Sequence, residues 1–264
     1  MEGLFDVTGR SALVTGANGG LGEAVCGALV RQGAHVIASD VHVGPSSEVQ
    51  NLLGECITGS CRYVPMDLGD STSRERGIGT IADSAERLDI LVNNAALAAG
   101  ADMEGFYGSL EAQSDEAYMM ALEVNLLAPF ALVRGLLRNL RLSDHASVVN
   151  VSSIYGLVGP VPSLYPDDSR VTPAAYSASK GGLIQLTRHL ATVLAPDVRV
   201  NALCPGGIWR SQPEQFVENY SRRTPLARMG TEAEMIGAVL WLCSDASAYV
   251  TGQVIAVDGG WTAW

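Results

Sequence analysis

Tyr176 and Lys180, in Tyr176-Ser177-Ala178-Ser179-Lys180, set a phenol and an ammonium four residues apart. On a helix that spacing stacks both side chains on one face. A phenol ordinarily titrates near ~10, too high for a base at neutral pH. A cation a few ångströms away favours the phenolate and lowers that value. Such a pair can take a proton from a reacting oxygen or return one. Upstream, an apolar run ends in Asn150-Val151-Ser152-Ser153 and adds hydroxyls to the same neighbourhood. Near the N-terminus another apolar run passes into Thr15-Gly16-Ala17-Asn18-Gly19-Gly20-Leu21-Gly22. Glycines there let the backbone approach a pyrophosphate, whose charge the following helix N-terminus stabilises. Asp40 closes the next apolar run, where an acid can bond the ribose hydroxyls of an adenosine. The 2′-phosphate of NADP would face that carboxylate. Neither the turn nor Val41 offers a cation, and His42 is mostly neutral at pH 7. NAD is therefore the expected dinucleotide, and hydride transfer between its nicotinamide ring and a carbinol or carbonyl carbon is the expected chemistry.

These groups need a scaffold that brings strand ends together. Short β-branched runs at 11–15, 35–39, 62–65, 90–92, 147–151, 199–203 and 254–257 read as strands. Helical patterns lie between them near 20–32, 46–53, 71–87, 113–141, 174–195 and 231–244. Strand–helix alternation implies right-handed crossovers and a parallel sheet covered on both faces. The expected fold is a single-domain α/β, Rossmann-type doubly wound sheet of about seven strands spanning 1–264. Three long connections, at 96–112, 154–173 and 204–230, each follow a strand. Ligands bind at that rim in open α/β sheets, so these loops are expected to frame a substrate cleft.

The joint order of these motifs resembles the short-chain dehydrogenase/reductase family, in its compact single-domain branch, over essentially the whole chain. TGANGGLG, with Gly16, Asn18, Gly20, Leu21 and Gly22, resembles that family's cofactor turn. Asp67-Leu68 resembles its adenine-contacting segment, and Asn93-Asn94-Ala95-Ala96 its strand-four motif. Pro205-Gly206, with Ile208 beyond, matches its nicotinamide-side turn. Asn125, Ser153, Tyr176 and Lys180 fall where its catalytic tetrad stands. The resemblance implies that Tyr176 is the general acid/base, and that Lys180 depresses the Tyr176 pKa and holds the nicotinamide ribose. It implies further that Ser153 hydrogen-bonds the substrate oxygen and that Asn125 positions a water linking Lys180 to solvent. It also implies a homotetramer whose helices near 113–141 and 174–195 pack across subunits, with Trp261 and Trp264 of the apolar end in support. Two departures stand out. The stretch between Ser153 and Tyr176 is longer than in most relatives. With Pro160, Pro162, Tyr165, Pro166, Asp167, Asp168 and Arg170 it reads either as a substrate lid or as a surface insertion. Arg210 occupies the place of a threonine that contacts the nicotinamide side of the cofactor, with Ser211 the nearest hydroxyl. Arg210 reads as solvent-facing, with an anionic substrate group as the alternative partner.

Composition narrows the remaining classes. With 47% hydrophobic residues in 264, the chain can bury a large core, and its formal charge of −11 argues against a nucleic-acid partner. The opening MEGLFDVTGR lacks the basic stretch of a signal peptide. The apolar region from Tyr118 to Leu140 is interrupted by Glu123, Asn125, Arg134 and Arg138, so no membrane span is expected. Cys26, Cys56, Cys61, Cys204 and Cys243 form no CxxC pair, which suits reduced thiols in a cytoplasmic protein. His35, His42, His145 and His189 show no metal spacing, and no G-x-S-x-G elbow is present. The substrate is expected to be a polar small molecule carrying a secondary alcohol or its ketone: a sugar, a polyol or a derivative. A β-ketoacyl thioester reductase is the competing enzyme reading, against which Asp40 and the acidic charge count. A non-catalytic NAD-binding regulator is the competing reading from another class, and it has no need of the tetrad.

Overall fold

The computed structural model describes residues 3–54, 58–98, 103–165 and 171–264. Its strands are β1 (Ser11–Thr15), β2 (His35–Asp40), β3 (Ser60–Pro65), β4 (Ile90–Asn93), β5 (Ser147–Val151), β6 (Arg199–Pro205) and β7 (Val254–Val257). All pairings are parallel, in the order β3-β2-β1-β4-β5-β6-β7. The expected Rossmann-type sheet is thus the observed one. Strands β4 and β5 are buried along their whole length, as a parallel sheet covered on both faces requires.

The helices are α1 (Gly20–Arg31), α2 (Ser47–Gly54), α3 (Ser71–Ser84), α4 (Asp115–Leu122), α5 (Ala128–Gly135), α6 (Leu137–Arg141), α7 (Ala174–Leu194), α8 (Glu214–Arg223) and α9 (Glu232–Cys243). One face of the sheet packs on Val25 and Leu29 of α1, Val49 and Leu52 of α2, and Val239 and Leu242 of α9. The other packs on Ile81 of α3, Leu132 of α5, Leu140 of α6, and Leu190 and Leu194 of α7. Chain order along the sheet reverses between β1 and β4. A crevice opens at such a reversal, outside the carboxyl ends of the strands. Thr15, Asn93, Val151 and Pro205 therefore end beside one another.

Two features depart from the sequence expectation. Helix α8 falls inside the 204–230 connection. Its apolar residues Phe216, Val217 and Tyr220 pack on Ile154, Leu164 and Trp261 rather than on the sheet, so its short stripe carries no core-helix signature. The expected helix over 113–141 is interrupted by a π-helical turn, Glu123–Leu127, between α4 and α5, and it restarts as α6. By length and composition alone Asp115–Gly135 could cross a membrane. In this fold it lies against α7 and the sheet, and buried Arg74 of α3 pairs with its Glu123 at 2.6 Å. In the 154–173 connection Tyr165 is described, whereas Pro166, Asp167, Asp168 and Arg170, which carry much of the lid expectation, lie outside the described residues, as does Cys56.

Candidate active site

The glycine turn is built by its neighbours. Gly16 has a φ of 64°, and a Cβ there would stand 2.7 Å from the Ala95 Cα. A Cβ on Gly22 would stand 2.0 Å from the Gly16 carbonyl oxygen. Only glycine fits either place. Asn94 Nδ2 donates to the carbonyls of Thr15 and Gly16, each at 3.0 Å. The Thr15 hydroxyl accepts from the Asn94 and Ala95 amides at 3.1 and 3.2 Å. The Asn18 side chain donates to Gly44 O and Tyr63 Oη and accepts from Ser46 N. Both asparagines, expected to contact the cofactor, line the cleft, and their side chains hold the turn in shape. Asp40 stands under that turn, 9% exposed. Its Oδ2 accepts from Asn18 N at 3.1 Å, and its Oδ1 meets His42 Nδ1 at 2.6 Å. At the next strand end, Asp67 Oδ1 caps Gly69 N at 2.8 Å, and Leu68 O accepts from Arg74 Nη1 at 2.6 Å. A close-packed glycine turn, a helix N-terminus without a side-chain cap and a carboxylate at the neighbouring strand end together fit a dinucleotide.

The second half of the site comes from β5, the π turn and α7. The Ser153 hydroxyl reaches the Tyr176 phenol and pulls its pKa down, whereas burial, the larger effect, pushes it above the ordinary value. Arg210 adds a weaker downward pull. Lys180 Nζ lies 5.7 Å from the Tyr176 ring centre and donates to Val151 O at 2.7 Å. The Lys180 ammonium thus stands beside the Tyr176 ring while it holds a strand-end carbonyl. Burial lowers its own pKa from 10.5 to about 8. The folded chain thus releases this proton more readily than the unfolded chain does, and stability rises with pH between those two values. Against a Lys180→Met variant lacking the group, the wild type should gain up to about 3 kcal/mol between pH 7 and 10.5. Urea unfolding of both proteins at the two pH values measures this gain.

Asn125 is fully buried in the π turn. Its Nδ2 donates to Leu97 O at 3.1 Å and Ser179 Oγ at 3.0 Å, and its Oδ1 accepts from Leu97 N at 2.7 Å. Both amide hydrogens are committed to protein, so the expected water-positioning role does not fall to its donors. They clasp the loop after β4 onto α7, where Ser179 Oγ donates in turn to Tyr176 O at 2.8 Å. Ser152 Oγ donates to Lys180 O at 2.8 Å. Ser179 and Ser152 are positioning residues that sequence reasoning did not assign; only their proximity to Tyr176 and Ser153 could have suggested them. Asn125→Ala should lower unfolding free energy by about 1–3 kcal/mol, because it takes the partner from the part-buried Leu97 N–H and C=O and from buried Ser179. Equilibrium urea denaturation would show it.

Strand β6 supplies the third wall. Gly207 N donates to the Tyr220 hydroxyl at 2.5 Å, and Tyr220 stacks on buried Trp261 at 4.3 Å. Helix α8 thereby fixes the turn at Pro205-Gly206, and Ile208 pairs with Gly230. Arg210 Nε donates to Glu232 Oε1 at 2.8 Å, and the guanidinium, read as solvent-facing, is half exposed. All these segments line one cleft of about 2010 Å³, larger than a single-ligand pocket. Phe106, Tyr107, Tyr155, Tyr165 and Phe216 line it beyond Tyr176.

A family model described as enoyl-(acyl carrier protein) reductase matches residues 16–262. Nodulation protein G of Rhizobium sp. (strain N33) is 34% identical, covering 97% of this chain and 98% of the relative. A galactitol 2-dehydrogenase (L-tagatose-forming) of Cereibacter sphaeroides is 32% identical over 99% of this chain and 98% of its own. Among solved structures, a gluconate 5-dehydrogenase from Burkholderia cenocepacia, in complex with NADP and tartrate, superposes with a TM-score of 0.85. It is 25% identical and covers 99% of this chain and 98% of its own.

Proposed function

The chain belongs to the short-chain dehydrogenase/reductase family, and on that premise we propose that it is an NAD-dependent oxidoreductase interconverting a secondary alcohol and a ketone on a sugar, a polyol or a derivative. The observation that carries this reading is one cleft holding the Gly16–Gly22 turn, Asp40, Ser153, Tyr176 and Lys180. The galactitol and gluconate dehydrogenases among its relatives support a polyhydroxy substrate. Relatives described as 3-oxoacyl-[acyl-carrier-protein] reductases keep a β-ketoacyl thioester reductase as the second reading.

The proposed roles of Tyr176, Ser153 and Lys180 are those the family resemblance implies. When bound, NAD supplies the acceptor for the hydride leaving the carbinol carbon. The Tyr176 phenolate takes the hydroxyl proton, and the Ser153 hydroxyl donates to the substrate oxygen. In the reverse direction Tyr176 returns the proton to the alkoxide as it forms. An ammonium has three donors, and Lys180 spends one on Val151 O. Its remaining donors would hold the nicotinamide ribose, and its charge beside the Tyr176 ring would favour the phenolate. Asn125 and Ser179 hold α7 against the cleft wall, and Asp40 takes the adenosine ribose. A panel of sugars, polyols, hydroxy acids and acyl-thioester ketones, each tested with NAD or NADH, separates the two readings.

We further propose a cytoplasmic homotetramer. Met119 and Leu127 leave α4 and the π turn as exposed apolar side chains, and Val193 does so on α7. Trp264 is exposed as well, at the end of the chain. Trp261, expected in the same patch, is buried under Arg223 and Tyr220 and contributes nothing to it. Sedimentation at micromolar concentration should give a tetramer; a stable monomer would defeat the proposal.

A further inference from the structure

Arg210 and Glu232 meet over the open end of α1. Arg210 follows the turn after β6, and Glu232 is the first residue of α9. Their 2.8 Å ion pair lies against Gly20, the first residue of α1. A Cβ on Gly20 would stand 2.9 Å from Glu232 Oε1 and 3.7 Å from Arg210 Nε. A carboxylate and a guanidinium thus cover the helix end at which a dinucleotide's pyrophosphate is stabilised. The carboxylate suits that end while no phosphate is there. Two phosphate charges at the same place would repel it and attract the guanidinium.

The loop is built to let the guanidinium change partners. Ser211, a non-glycine residue, has a φ of 62° in the left-handed region, a conformation found at hinge and ligand-clamp positions. Gln212 fastens the turn from inside, accepting from Arg210 N at 2.6 Å and donating to Ile208 O at 2.8 Å. The Arg210 side chain is half exposed, so its rotation leaves the core untouched.

We propose that Arg210 is a pyrophosphate ligand held in reserve by Glu232. Dinucleotide entry breaks the ion pair, expels the carboxylate from the α1 terminus and passes the guanidinium to the phosphate oxygens. This rests on the reading of the glycine turn as a dinucleotide site. It assigns a role to the arginine that replaces the family's threonine.

The test is the dissociation constant of NADH, measured by fluorescence titration without substrate, for wild type, Arg210→Ala, Glu232→Gln and the double variant. Arg210→Ala should weaken binding about tenfold or more, the value of a lost charge-assisted contact to phosphate. Glu232→Gln should tighten it several-fold, because it releases the guanidinium and removes a repelling charge. The double variant should resemble Arg210→Ala. If the pair only braces the loop, both single variants weaken binding together, and that result overturns the proposal, as does no change in either. A wild-type protein that does not bind NADH at all overturns the dinucleotide reading itself. Thermal melts of each variant, and the conservative Arg210→Lys, which should retain part of the affinity, guard against misfolding as the cause.

Discussion

Tyr176→Phe should lower kcat by about 10²–10⁴-fold, the usual contribution of a positioned general acid/base, while the dissociation constant for NAD stays within about twofold of wild type. The substitution removes one oxygen and keeps the ring, so the packing of Tyr176 in the cleft wall persists. Ser153 keeps its position, because its hydroxyl also accepts from Tyr155 N at 3.2 Å. What is lost is the single ionisable atom that Ser153 contacts. Loss confined to kcat separates a chemical role from a binding role, which would raise KM instead. Parallel steady-state kinetics and NAD titrations of the two proteins provide the check. Retention of near-full turnover in the variant would remove Tyr176 from the proton path.

The second large effect concerns cofactor choice at Asp40. A ribose 2′-hydroxyl can donate to this carboxylate, whereas the NADP phosphate brings nearly two negative charges to it. At an effective dielectric of about 20, each unit repulsion at ~4 Å costs roughly 4 kcal/mol. Relaxation and salt reduce that, leaving an expected preference for NAD of at least about a hundredfold, or ~2.7 kcal/mol. The carboxylate cannot easily turn away, because Asn18 N holds one oxygen and His42 the other. Asp40→Ala should therefore collapse the ratio from both sides, weakening NAD and relieving the repulsion of NADP. The measured quantity is kcat/KM for each cofactor at fixed substrate, pH and ionic strength. Equal use of both cofactors by the wild type would mean that Asp40 does not face the ribose.

The two halves of the cleft differ in how much of them could be read from residues alone. The strands were recoverable because a parallel sheet buried on both faces demands unbroken β-branched runs such as Leu91-Val92 and Val148-Val149. The turn was recoverable because Gly16 and Gly22 stand where no other residue fits. Destinations of polar side chains were not. The type and spacing of Asn125 are right for a catalytic asparagine, yet its amide is spent on Leu97 and Ser179. Lys180 sits one helical turn from Tyr176, yet its ammonium faces Val151 O. Both outcomes depend on which strand end arrives beside the helix, a tertiary fact that local pattern does not carry. Helix α8 was lost for a related reason: Tyr220 is buried against Trp261 and the Gly207 amide, away from any sheet. Arg210 is solvent-facing as read, at half exposure, but its partner Glu232 lies on another element and could not be found from local pattern.

The proposed activity is oxidation of a polyhydroxy secondary alcohol with NAD, with Tyr176 moving the proton. Its most direct test is NADH formation by the wild type across a panel of polyols, sugars and sugar acids, repeated with Tyr176→Phe. At least one of them should reduce NAD, NADP should serve at least about a hundredfold less well, and the variant should bind NAD but form NADH slower by orders of magnitude. NAD bound at ordinary affinity with no turnover of any polyhydroxy compound in either direction would contradict it.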